Sequence, residues 1–220
     1  MIINFLGDSI TWGAGAKVEE NKFVNRVGKA LGCTVRNYGI GGTRIARQTV
    51  THCTTEFDQD YLLRAPLMED DADYVFVFGG TNDFGHGDAE IGTFESTDPC
   101  TFYGATKLLI EMLCEKYGKE KLAFILPMPR HNQDNPRGEG FKTKDFGTLK
   151  EYVDVLIEVL NAYKIPYIDL FYHSVLPKPV NNKPDDYFAD GLHPNDFGHL
   201  VIAQAVVAFI EKMEFDKNNK

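Results

Sequence analysis

The sequence predicts an α/β fold, a three-layer α/β/α sandwich around a five-stranded parallel sheet. Short apolar runs at 2–6, 33–37, 74–78, 122–126 and 166–170 alternate with segments of helical periodicity. The runs read as continuously apolar, the pattern of strands buried on both faces. Glycine-rich polar segments follow the first three runs and a long polar loop follows the fourth, which is where ligands bind in sheets of this kind.

Each element has its own signal. Residues 2–6 run into Gly7, which ends a buried strand in a loop. Residues 21–31 place Phe23, Val27 and Leu31 on one helical face. Leu108, Leu109, Met112 and Leu113 mark a helix at 102–117, and Leu149, Val153, Leu156 and Leu160 another at 146–163. The last helix, 196–213, carries Phe197, Leu200, Val201, Val206, Phe209, Ile210 and Met213. With 220 residues, 43% of them hydrophobic, the chain is long enough for one sizeable core and short for two. A single domain over 1–215 is expected, with a frayed polar tail at 216–220.

Charge and composition exclude several function classes. Lys and Arg total 23 against 32 Asp and Glu, a formal net charge of −9 without a basic run, so neither nucleic acid nor an anionic membrane is an expected partner. Cys33, Cys53, Cys100 and Cys114 lack C-x-x-C spacing and read as reduced structural thiols. Without H-E-x-x-H or a Cys/His cluster, no metal and no cofactor are expected; His52, His86, His131, His173 and His199 are scattered. No secretory signal and no membrane-length apolar stretch are visible, which suggests a cytoplasmic location. Nothing in the sequence points to an oligomeric state.

Four segments carry candidate chemistry. Gly7-Asp8-Ser9 follows the first strand and can present a hydroxyl at the sheet edge, although the same residues suit an Asx turn or a helix cap. Asp190-Gly191-Leu192-His193-Pro194 places a carboxylate three residues before an imidazole; Asp190 can accept the Nδ1 proton of His193 and leave Nε2 free as a base. A cap Asp beside a surface His is the plainer alternative, and Pro194 suits the first helical turn. The glycines in Asn37-Tyr38-Gly39-Ile40-Gly41-Gly42-Thr43 let backbone N–H groups approach a ligand, but the segment has neither the P-loop Lys-Ser/Thr nor a dinucleotide spacing. Phe78-Gly79-Gly80-Thr81-Asn82-Asp83 ends the third strand and offers a side-chain amide, or simply a turn. The G-x-S-x-G elbow of α/β-hydrolases is missing.

In this order, over residues 7–194, the four segments resemble the sequence blocks of the GDSL/SGNH hydrolase superfamily. The resemblance implies a flavodoxin-like sandwich, Ser9 as nucleophile, His193 as general base with Asp190 as its orienting partner, and an oxyanion hole from Ser9 N–H, Gly42 N–H and the Asn82 amide. Asp8 and Asp83 read as turn or backbone-bonding carboxylates. Asp8, His86, Arg130 and His131 are carried as candidates for substrate contact, with solvated loop side chains as the simpler reading of the last three.

The expected activity is therefore serine-dependent carboxylic-ester hydrolysis through an acyl-enzyme. Loops 84–98 and 127–145 are polar, which suits a short acyl group on a polar alcohol such as an O-acetyl carbohydrate. A lysophospholipase or thioesterase on longer chains is the enzymatic alternative. A non-catalytic ligand-binding module on the same fold is the alternative from another class.

Overall fold

The computed structural model describes residues 1–49, 58–140 and 142–219. Five strands, β1 (Ile2–Gly7), β2 (Thr34–Gly39), β3 (Tyr74–Phe78), β4 (Leu122–Ile125) and β5 (Tyr167–Ile168), form one parallel sheet in the order β2-β1-β3-β4-β5. Among the described residues there are seven α-helices: α1 (Ser9–Trp12), α2 (Phe23–Leu31), α3 (Tyr61–Arg64), α4 (Thr81–Gly85), α5 (Phe102–Tyr117), α6 (Leu149–Tyr163) and α7 (Asp196–Asn218). The order of strand addition reverses between β1 and β3, so the connections after those strands leave to opposite sides and a crevice is expected at their carboxyl ends.

The alternation of side chains along each strand divides the interior into two cores. On one face Leu6, Val75, Val77 and Phe124 pack against Leu109 and Leu113 of α5 and Val153, Leu156 and Leu160 of α6. On the other, Ile3, Phe5, Phe76 and Ile125 meet Phe23 and Val27 of α2 and Ile202, Val206 and Ile210 of α7. Burying each such side chain contributes roughly 1.5–3 kcal/mol before chain entropy is set against it.

Several expected boundaries move. β2, an edge strand, runs on to Gly39, and α6 begins at Leu149 because a Thr148–Glu151 capping box stops it there. Helix α7 continues to Asn218, so residues 216–218 of the expected tail are helical. Pro194 lies outside α7 and not in its first turn, because Asn195 is the cap and accepts from Phe197 N–H and Gly198 N–H. Cys33, Cys100 and Cys114 are free thiols, while Cys53 and His52 lie outside the described residues. Among the described residues, no helix is long and apolar enough to cross a membrane.

Candidate active site

The nucleophile candidate is placed by a one-turn helix. Asp8 caps α1 by accepting from Ile10 N–H at 2.9 Å, and the turn that follows β1 sets Ser9 at the first position of α1, partly exposed at the carboxyl edge of the sheet. From the far end of the chain, the segment before α7 brings His193 back to this point. Gly15, with φ +89°, permits that approach: a Cβ there would lie 2.2 Å from Pro194 O and 3.3 Å from His193 Cβ.

Ser9 Oγ and His193 Nε2 are 2.9 Å apart, and His193 Nδ1 lies 2.7 Å from Asp190 Oδ2. The other carboxylate oxygen, Asp190 Oδ1, accepts from Leu192 N–H (3.0 Å) and His193 N–H (2.7 Å), which locks the turn that carries the imidazole. Partial burial disfavours the Asp190 charge, yet the hydrogen bonds from the His193 ring and backbone outweigh it and hold the carboxyl down to about 2. Asp190 is therefore ionised across the neutral range. With Nδ1 held against that carboxylate, Nε2 is the ring nitrogen that faces Ser9 Oγ.

The other two segments meet beside this row. Asn82, on α4, is buried and donates through Nδ2 to Thr43 O at 3.0 Å, which leaves the second amide hydrogen for a ligand. Gly42 precedes Thr43 with φ +75°, a conformation that turns its peptide in a way an L side chain rarely allows. Asp83 accepts from Ile45 N–H (3.0 Å) and Ala46 N–H (2.8 Å), so it is a backbone-bonding carboxylate that fastens the loop after β2 to α4.

The three rim residues are not freely solvated loop side chains. Arg130 is 4% exposed, donates to Thr81 O and Thr81 Oγ1 on α4, and pairs with Glu139 at 2.6 Å. His86 is largely buried, which pushes its imidazole below the usual range. His131 is half-buried and donates from its backbone to Gly191 O, and with Arg130, Asn132, Glu139, Asn182 and Asp190 it lines a cavity of about 370 Å³. Among the described residues, no group of three or more His, Cys, Asp or Glu side chains is placed to hold a metal ion.

Helix α3 was not expected from the sequence, and it supplies two residues to the base of the site. Arg64, 5% exposed, donates to Gly7 O from both terminal nitrogens (3.1 Å each), to Thr43 Oγ1 (2.7 Å) and to Tyr38 O. Tyr61 donates to Phe78 O at 2.9 Å, and its ring fills the space that a Cβ at Gly79 would occupy. Gly79 itself was the signal available in the sequence: a glycine at a strand end implies a close neighbour without naming it.

The fold recurs among known proteins. A protein from Lactobacillus plantarum is 25% identical with a TM-score of 0.79 over 96% of each chain. The lipase/acylhydrolase from Enterococcus faecalis is also 25% identical, with a TM-score of 0.62 over 96% of this chain and 95% of that one. A carbohydrate acetylesterase family member from Sinorhizobium meliloti shares the fold at 17% identity, with a TM-score of 0.63 over 96% and 98% of the two chains. No curated protein matches the sequence. The profile of the GDSL-like Lipase/Acylhydrolase family matches residues 5–201, which contain the Ser9–His193–Asp190 row, both loops beside it, the end of β1 and the other four strands, and the chain belongs to that family of ester-hydrolysing enzymes.

Proposed function

We propose that this enzyme hydrolyses short-chain, O-acetyl-type esters of a polar alcohol such as a carbohydrate, through an acyl-enzyme on Ser9. The observation that carries the reading is the unbroken row from Ser9 Oγ through His193 to Asp190, at 2.9 and 2.7 Å. Ser9 Oγ attacks the ester carbonyl while His193 Nε2 takes its proton, and Asp190 supports the imidazolium that forms. Donors from Ser9 N–H, Gly42 N–H and Asn82 Nδ2 face the developing oxyanion. His193 then returns the proton to the departing alcohol. Water, deprotonated by the same nitrogen, releases the acid and regenerates Ser9.

The polar alcohol is favoured by the cavity beside Asp190, where Arg130, Asn132, Glu139, Asn182 and Asp190 offer charged and amide groups beside a single aliphatic side chain, Leu192. The carbohydrate acetylesterase among the structural neighbours is consistent with that preference. A chain-length series of p-nitrophenyl esters, run beside acetylated xylan, tests it: kcat/KM should be highest for acetyl and propionyl esters. A preference for octanoyl or longer chains would assign the enzyme to lysophospholipid or thioester substrates instead. Fluorophosphonate labelling tests the nucleophile. Wild type should label and Ser9→Ala should not, with esterase activity reduced on the order of 10⁴-fold; residual activity within tenfold of wild type would remove Ser9 from the mechanism.

A further inference from the structure

Three strands end in loops that carry the proposed machinery, and one buried cation touches two of those strand ends and one of the loops. The acceptors of Arg64 are Gly7 O, two residues before Ser9; Tyr38 O, at the end of β2; and Thr43 Oγ1, one residue after Gly42. Tyr61, one turn earlier on α3, holds Phe78 O, four residues before Asn82, and the Arg64 guanidinium lies 5.2 Å from the Tyr61 ring centroid. Burial disfavours the Arg64 charge, and the Asp8 carboxylate offsets part of that cost. A guanidinium is suited to this place because its planar fork reaches several oxygens at fixed angles, whereas an ammonium is a single point.

We propose that Arg64 is a positioning residue for ester hydrolysis: by clamping Gly7 O, Tyr38 O and the Thr43 hydroxyl, it sets the separation between the Ser9 hydroxyl and the oxyanion donors Gly42 N–H and Asn82 Nδ2. This rests on the roles assigned to Ser9, Gly42 and Asn82 above. Arg64 touches no reacting atom, so its effect appears only in how well the nucleophile and the oxyanion site fit one transition state.

The test is Arg64→Lys, which keeps the charge and loses the fork. Active-site titration with a fluorophosphonate counts competent sites, and steady-state hydrolysis of p-nitrophenyl acetate gives kcat per titrated site and KM. The expected result is a fall in per-site kcat of about 10- to 100-fold with KM within about threefold of wild type. Asn82→Ala, which should cost about 100- to 1000-fold in the wild-type background, should cost at least about tenfold less in Arg64→Lys, because both changes damage the same oxyanion geometry. Fewer titratable sites at unchanged per-site kcat, or strict additivity with Asn82→Ala, would mean that Arg64 only stabilises the fold and would overturn the proposal. If Arg64→Lys does not fold, Thr43→Val removes one acceptor at nearly constant volume. A loss of per-site kcat at constant KM then supports the clamp, and wild-type kcat overturns it. A wild-type protein that neither labels nor turns over ester overturns the serine-hydrolase reading itself, a result distinct from normal labelling with an unaffected Arg64→Lys.

Discussion

Asp8 sits next to the nucleophile with one oxygen bonded to Ile10 N–H and the other, Oδ2, buried without a hydrogen-bond partner. Burial pushes its carboxyl up to about 6, against the opposing pull of the Ile10 bond, His193 and Arg64. Because the folded value lies above the unfolded one, the folded state binds more protons between about pH 4 and 6, and the stability associated with the neutral acid is lost as pH rises through that window. Asp8→Asn retains an acceptor for Ile10 N–H without the charge. It should therefore raise unfolding stability at pH 8 by roughly 1–3 kcal/mol and change it little at pH 4, while lowering kcat, since the Asp8 charge favours the His193 imidazolium. Urea unfolding at the two pH values checks this; an equal effect at both would show that Asp8 is not the titrating group. Among single residues, Ser9, Asp190 and His193 were legible because two separated motifs explained each other. Arg64 was not, because an isolated arginine outside any motif carries no signal of burial, and only the closed tertiary structure supplies its acceptors.

At the level of elements, the last helix does more than cover the sheet. Its cap, Asn195, two residues beyond His193, accepts from Phe197 N–H and Gly198 N–H and donates through Nδ2 to Asp185 O. Asn195→Ala should lower stability by about 1–2 kcal/mol and reduce kcat as well, because the end of the turn that holds the imidazole is loosened. Thermal melts and p-nitrophenyl acetate kinetics check the two effects, and a stability loss with wild-type kcat would confine Asn195 to capping. The strands were readable because β1, β3 and β4 are buried on both faces, and α5, α6 and α7 because each has room for several turns of periodic apolar residues. The short helices α1, α3 and α4, of four or five residues, leave no period to read. These are the elements that carry Ser9, Arg64 and Asn82, so the parts of the fold closest to the chemistry were the least visible as structure, even where their residues were visible as motif.

Across the whole molecule, α7 and α2, which share one face of the sheet, are tied to each other and to the loop after α1 by a histidine that the proposed chemistry does not use. His199, on α7, is fully buried; Nδ1 accepts from Phe23 N–H of α2 at 3.3 Å, and Nε2 lies 3.1 Å from Ala14 O in the loop after α1. It therefore ties the helix that follows His193 to the helix and loop that follow Ser9. Burial pushes its imidazole down to about 4, against the favourable bond to Ala14 O and the charge of Asp196, with Arg26 and His193 adding to the depression. Only the neutral form both accepts from Phe23 and donates to Ala14. The folded value lies below the unfolded one of about 6.5, so the unfolded chain binds the extra proton and stability falls as pH drops from about 6.5 to 4. The contribution is on the order of 3 kcal/mol, and it runs opposite in sign to that of Asp8 over the same range. His86, also depressed by burial, acts in the same direction as His199, and Asp83, raised by burial, acts with Asp8. The net profile thus mixes several groups, and a variant isolates one of them. In urea unfolding between pH 7 and 4, His199→Gln should be less stable than wild type at pH 7 and should show a shallower decline with acid, the two curves converging near pH 4. Parallel curves would mean that His199 binds protons equally in the folded and unfolded chain and that acid sensitivity arises elsewhere. Since His199 joins the segments that bring Ser9 and His193 together, the same acid range should reduce the number of sites titratable by fluorophosphonate in wild type more steeply than in His199→Gln.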